Sequence, residues 1–496
     1  MAHEVVVVGG GIGGLTVAAL LAQRGVDVCL LEREPRVGGC AASFDKFGYS
    51  FEQGYGLFTG WKLGEIHDRV FSELPVDPPE VRLLEPSYVV RLPDQSEIAL
   101  AGDQEKFEEN LRRSFPECAE QAVGFYRKLE SLGKALRRAF ERAPDLLSAS
   151  KPRRAYSLLS EGRVGAEILK AGHHSTLEYL ETVSPRFRRF VDVQLQTLAQ
   201  ASSAEVPHLL AAFMLSGPRS GMFAMRGGAS ALGNKLAESI KQSGGRIRLD
   251  TPVLRLSYDS TGAAVGVDLL SGETVTFSKA VVSNLTVWDT YGKLVGLNRT
   301  PTEIRKQLNG LRGWGAYLMY LALDESAAGT LTSDHVLALT DWQKDEPYEP
   351  QANQLMFGAA PGWDARGPAG KRAVTVQAFT DVDDWFTFHN DETELEEKDQ
   401  QMLERCWQQL HSAMPELGSS VEVIETATPR SFYDQTRRKL GKVGGIVPSP
   451  GEFWLDGPSY QTVLPNVFII SDTTYPGGIE GLTRSALVLA NKLASQ

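Results

Sequence analysis

Sulfur is scarce in this chain. Its four cysteines, Cys29, Cys40, Cys118 and Cys406, contain no CxxC pair and form no metal-like cluster with the eight histidines. Neither a disulfide framework nor a zinc site is expected, and the reducing cytoplasm is the expected location. Long apolar runs are missing as well: nothing approaches the roughly 18 residues of a spanning helix, and no basic segment precedes the first apolar run. A basic excess is also lacking. With 62 acidic residues against 51 lysines and arginines the net charge is -11, which argues against a nucleic-acid partner, because phosphate recognition needs a basic face. The remaining composition, 42% apolar and 23% charged, is that of a globular protein with roughly two to four structural units.

Glycine is concentrated where it carries information. Val5 to Val8 is a continuous apolar run, as in a strand of a parallel sheet buried on both faces, and Leu15 to Gln23 has the small and apolar residues of a helix packed on such a sheet. Between them Gly9, Gly11 and Gly14 make GxGxxG. The first glycine allows a tight turn, the second lets a pyrophosphate approach the backbone, and the third permits close helix-to-strand packing. A second strand, Val26 to Leu31, ends in Glu32, placed to accept hydrogen bonds from ribose hydroxyls. Strand, turn, helix, strand and acid together predict a Rossmann-type dinucleotide site. Near the other terminus Val467 to Ile470 reads as another buried strand, with Asp472 at its end and Gly477-Gly478 leading into a helix from about Gly481 to Lys492. A nicotinamide domain does not need that second strand end, whereas FAD is long enough to use both.

Four blocks carry a family resemblance: "VVVVGGGIGGLTVAALLAQRG", "EREPRVGGCAASFDKFGYSFEQG", "GMFAMRGGASALGNKLAESIKQSGGRIRLDTPV" and "IISDTTYPGG". Together they resemble the phytoene desaturase-like flavoproteins, the group of carotenoid desaturases and carotenoid cis-trans isomerases within the amine oxidase-type FAD class. The resemblance implies that Gly9, Gly10, Gly11, Ile12, Gly13 and Gly14 face the FAD pyrophosphate and that Glu32, with Arg33, serves the adenosine ribose. It places Gly38, Gly39 and Cys40 in the following glycine-rich loop, Val253 at the adenine, Asp472 at the pyrophosphate and ribityl chain, and Gly478, Ile479 and Glu480 at the isoalloxazine. Two positions depart from the family pattern: Glu52 stands where an aspartate is usual, and Ser471 where many members have glycine. No cysteine follows Cys406, so FAD is expected to be non-covalent. The implied activity is desaturation or isomerisation of a long polyene; the alternatives are an amine oxidase-like enzyme, a polyene reductase or cyclase, and a non-enzymatic isoprenoid carrier like the Rab GDP-dissociation inhibitors. Glu480 is the candidate catalytic residue, its competing role being a helix N-terminal cap. His173 and His174 read as structural or surface residues.

The expected fold class is α/β, a Rossmann-type FAD-binding domain (1–75, 220–300 and 430–496) interleaved with a mixed α+β substrate domain (76–219 and 301–429). Helices are predicted over Ala231 to Gln242 and after Asn390, the latter with an apolar stripe at Leu395, Met402, Leu403, Cys406 and Leu410. The apolar runs "HLLAAFML" and "WGAYLMYLAL" are expected to wall a tunnel for a hydrophobic small-molecule substrate. Residues 127–170 hold eleven lysines or arginines against five acids; this basic face beside "HLLAAFMLSGPRSGMF" predicts peripheral docking on an anionic membrane surface.

Overall fold

The computed structural model describes residues 2–342, 347–387, 392–448, 455 and 461–495. The valine run forms the centre of a seven-stranded sheet in which Val5, Val6 and Val7 are fully buried. The order across that sheet is Val253–Tyr258, Ala264–Leu269, Thr274–Ser283, Ala2–Val8, Val28–Leu31 and Arg246–Arg248, with Val467–Ile469 paired to the end of Thr274–Ser283. Ala2–Val8 runs parallel to both neighbours, with Val8 opposite Leu31 on one side and Ser283 on the other. Ser283 is in turn opposite Ile469. With Arg248 opposite Leu31, five parallel strands therefore end along one edge, and ligands of open α/β sheets bind outside such carboxyl ends.

The helix Ile12–Gln23 is buried from Ile12 through Ala22. It has no polar face because it is covered on several sides: Gly478–Ala494 and Ala229–Gln242 both pack against it. Both helices begin earlier than the sequence pattern suggests, by three and two residues: the first turn of one holds Gly478, and the other starts directly after its N-cap Gly228.

A second seven-stranded sheet has the order Val421–Ala427, Gly315–Asp324, Lys371–Thr380, Gln354–Ala359, His335–Leu339, Tyr88–Arg91 and Glu97–Leu100. Its pairings are antiparallel except for His335–Leu339 with Tyr88–Arg91. The helix Glu392–Ala413 covers one face through Met402, Cys406 and Leu410, with Leu395 and Leu403 half-buried beside them; Asn390 and Asp391 lie outside the described residues. On the other face sits a helical layer that includes Ala119–Arg142, Pro185–Ala199 and His208–Ser220.

Two expectations are corrected here. "WGAYLMYLAL" is not a tunnel wall but the second-strand core of this sheet, buried from Gly315 through Leu323; a strand covered on both faces reads as an unbroken apolar run. The run "HLLAAFMLSGPRS" is a buried helix and not an exposed apolar lip. Much of the basic segment is also spoken for: Arg127 pairs with Glu108, Arg138 and Arg142 with Glu161, Arg153 with Asp145, while Arg154 is buried against backbone carbonyls. All four cysteines are unbridged. Among the described residues no helix is long and apolar enough to cross a membrane, and no group of three metal-ligating side chains occurs.

Candidate functional site

A cavity of about 1660 Å³ opens at the carboxyl edge of the first sheet and continues under the helical layer. That exceeds the roughly 300–1,000 Å³ of an ordinary ligand pocket and leaves room for a dinucleotide and a second ligand. One end is bounded by Glu32, Arg33 and Val253, the middle by Gly9, Gly10, Gly11, Ile12, Gly38, Gly39, Cys40 and Asp472, and the far end by Gly478, Ile479 and Glu480 with Thr59, Arg137 and Phe213. The structure thus brings the separated sequence motifs to one cavity. Gly13 and Gly14 are the exceptions; they lie buried in the first helical turn behind it.

Close packing by itself requires the glycine turn. Gly9 has φ +101. A Cβ on Gly11 would stand 2.5 Å from Asn284 Oδ1, and one on Gly14 would stand 2.2 Å from the Gly9 carbonyl oxygen. Gly11 is the N-cap of Ile12–Gln23 and offers no side chain to the first-turn N–H groups. Free first-turn donors and the helix dipole are the features that suit a phosphate, and a side chain at Gly11 would fill the space before them. Glu32 is buried and its carboxylate accepts from Gly10 N–H at 2.6 Å and Glu34 N–H at 2.9 Å. Burial pushes the Glu32 carboxyl up, against the pull of those backbone donors.

Asp472, at the end of Val467–Ile469, accepts from Arg438 Nη2 at 2.8 Å. Arg438 also donates to the Lys442 carbonyl at 2.7 Å and lines the cavity with Asp472. Cys40 lines the cavity wall beside Arg438, and burial raises its thiol pKa against the pull of that guanidinium. Both departures from the family pattern have local roles. Glu52 accepts from Ala229 N–H at 2.9 Å, capping the helix Ala229–Gln242, and lies 3.3 Å from Arg366 Nη1. Ser471 Oγ donates to Asp472 Oδ1 at 3.1 Å.

Glu480 does not stand as a catalytic acid. Its carboxylate accepts from Thr59 Oγ1 at 2.6 Å, from Arg484 Nη2 at 3.0 Å and from Arg137 Nη1 at 3.3 Å. Burial alone would raise its pKa, but Arg137 and Arg484 hold it down to about 2. A carboxyl so held has no proton to give near neutrality and its oxygens are already occupied. His174 pairs with Glu178 at 2.6 Å, outside the cavity.

Four participants were missed in the sequence: Asn284, Arg137, Arg438 and Arg484. Asn284 ends the strand Thr274–Ser283 and donates from Nδ2 to the Ile470 carbonyl at 2.6 Å, tying two strand ends together beneath the glycine turn. Its position in "KAVVSN", directly after a buried strand, was the available signal.

A parallel strand edge, a glycine turn at a helix start and a buried acid at the next strand end define a dinucleotide-binding fold. The chain belongs to the flavin containing amine oxidoreductase family, whose profile matches residues 12–494. It is an FAD-dependent oxidoreductase, as that family and its sequence relatives support. It is 23% identical to the chloroplastic prolycopene isomerase of Arabidopsis thaliana over 513 residues, which covers 99% of this chain and 83% of that protein. It is 24% identical to the all-trans-retinol 13,14-reductase of Danio rerio over 547 residues, 99% of this chain and 86% of that one. Among solved structures it is similar to a putrescine oxidase bound to putrescine, at TM-score 0.66 and 14% identity with full coverage of both chains; at that identity the likeness shows the fold.

Proposed function

We propose that this flavoenzyme acts on a long apolar polyene or isoprenoid and catalyses its desaturation or cis-trans isomerisation. The observation that carries the reading is the far wall of the cavity, where Leu57, Leu210, Phe213, Met214, Met222 and Val447 stand beyond the glycine motifs. An elongated hydrocarbon gains about 0.8 kcal/mol for each CH₂ it buries there. The carboxylate at that end, Glu480, is already held by two arginines and offers a protonated amine no free counter-charge. The names of the sequence relatives, a prolycopene isomerase and a retinol reductase, support the same substrate chemistry.

In this reading the first-turn N–H groups after Gly11 hold the FAD pyrophosphate, Glu32 accepts from the ribose, Val253 borders the adenine, and the Gly477–Glu480 segment meets the isoalloxazine. FAD, when bound, supplies the two-electron redox chemistry. The chain's own part is to orient the polyene along the apolar wall and exclude water. A proton donor is not needed from Glu480, whose charge is fixed. The segments 1–75, 220–300 and 430–496 would form the FAD domain and the intervening ones the substrate domain. Delivery from a lipid surface would use the helix Lys151–Leu159, where Tyr156 is 79% and Leu159 51% exposed beside the basic residues Lys151 and Arg153. The test is product analysis in cells that make acyclic carotenes and their cis isomers. A new desaturated or isomerised polyene that depends on this protein supports the reading; an unchanged polyene profile with active, FAD-loaded protein contradicts it.

A further inference from the structure

Two guanidinium groups share one carboxylate at the end of the cavity where the family resemblance puts the isoalloxazine. Arg137 comes from the long helix Ala119–Arg142 and Arg484 from the last helix, Gly478–Ala494, which also carries Glu480. Arg137 lies with its guanidinium 4.5 Å over the Phe213 ring, donates from Nη2 to the Phe213 carbonyl at 2.9 Å, and keeps its buried Nε without a partner. Arg484 is 5% exposed and faces the Phe140 ring at 5.3 Å. Among the described residues neither arginine pairs with any carboxylate other than Glu480. The neighbouring His67, stacked on Trp61 at 4.2 Å with Nε2 unpartnered, is kept neutral by burial.

Two positive charges and one negative leave one unbalanced cation in a largely buried site at the cavity wall. A buried charge without a counter-charge is costly, and the start of the 17-residue helix Gly478–Ala494 adds positive partial charge at the same place. The missing negative charge has a natural source. A flavin that takes up two electrons and one proton carries one negative charge on its ring system, and charge beside the ring tunes its electronics. We propose that Arg137 and Arg484, by sharing a single carboxylate, set the flavin potential in favour of the two-electron-reduced anionic form. The proposal rests on FAD as cofactor and on no substrate assignment. It deepens the functional reading, because a reduced resting flavin suits isomerisation or saturation of a polyene better than its desaturation.

The experiment is a midpoint-potential titration of FAD-loaded protein with dithionite and a reference dye, without substrate. Arg137→Gln and Arg484→Gln each leave one balanced arginine–carboxylate pair. Each is expected to weaken the preference for reduced over oxidised FAD at least tenfold, a drop of about 30 mV for a two-electron couple. Arg137→Lys keeps the charge and is expected to hold the wild-type potential. Either glutamine variant binding FAD at the wild-type potential overturns the proposal. Should both glutamine variants fail to hold FAD, Arg137→Lys decides: a drop of the same size overturns it by showing that the guanidinium fork matters rather than its charge, and an unchanged potential supports it. Loss of polyene turnover with unshifted potentials would count against the charge proposal while leaving the substrate reading intact.

Discussion

Asn284 Oδ1 stands where a Cβ on Gly11 would reach it at 2.5 Å, so packing against a neighbouring strand end by itself calls for the second glycine of the turn. Gly11→Val is expected to lose FAD and to destabilise the fold together. Adding Asn284→Ala separates the two effects: the double variant should recover folding, read by urea denaturation, and still retain no flavin. Asn284→Ala alone removes the hydrogen bond to the Ile470 carbonyl and should cost about 1–3 kcal/mol, since that buried acceptor is left unmet.

Glu32 is expected to add the ribose hydroxyls to the donors it already has when the cofactor binds. Its oxygens accept from Gly10 and Glu34 N–H in the protein alone, and the ribose hydroxyls are its expected further partners. Glu32→Ala should weaken FAD by roughly ten- to a hundredfold, equivalent to about 1.5–3 kcal/mol. Equilibrium dialysis against FAD measures it; unchanged affinity would remove Glu32 from the site.

Acid should unfold this protein in two stages. His67, His208 and His335 are buried, and burial lowers them from 6.5 to about 4, 3 and 4. Between pH 6.5 and 4 the unfolded chain binds protons that the folded chain does not, so stability falls as pH falls. With about 1.4 kcal/mol per pH unit from each group the slope reaches roughly 4 kcal/mol per unit. Glu480 acts lower: its folded value of about 2 lies below the ordinary 4.5, so its contribution is full above pH 4.5 and lost toward pH 2. Urea midpoints from pH 7 to 4.5 measure the first stage, and His208→Phe should flatten the slope by about a third.

The Arg438–Asp472 pair should be unforgiving. Asp472→Asn removes the carboxylate partner of Arg438 Nη2, while the bond to the Lys442 carbonyl remains, and should destabilise by about 1–3 kcal/mol. Thermal denaturation of the FAD-free protein checks this apart from any cofactor contact.

Local pattern made the glycine turn, its strands and Glu32 readable, because each follows from a few adjacent residues. Arg137 was not readable that way. It was counted with Arg138 in a basic segment, yet successive helix positions differ by about 100°, so Arg138 meets Glu161 at the surface while Arg137 turns inward to Glu480. The clue was Gly133 one turn earlier, where a Cβ would stand 2.1 Å from Ser216 Oγ. A glycine that admits a neighbouring helix marks the buried face, and Arg137 follows it by four residues. "WGAYLMYLAL" failed for the opposite reason: an apolar run states that a segment is buried, not whether sheet or ligand covers it.

The most direct test of the account is an anaerobic comparison of two substrates on the FAD-loaded protein, with the flavin followed by absorbance and products by chromatography. A long polyene delivered in liposomes is expected to be converted, with photoreduced flavin required if isomerisation is the reaction, while putrescine and benzylamine leave the flavin oxidised. Rapid flavin reduction by a small amine, with no polyene converted in either flavin state, would contradict the account and leave the family and fold standing.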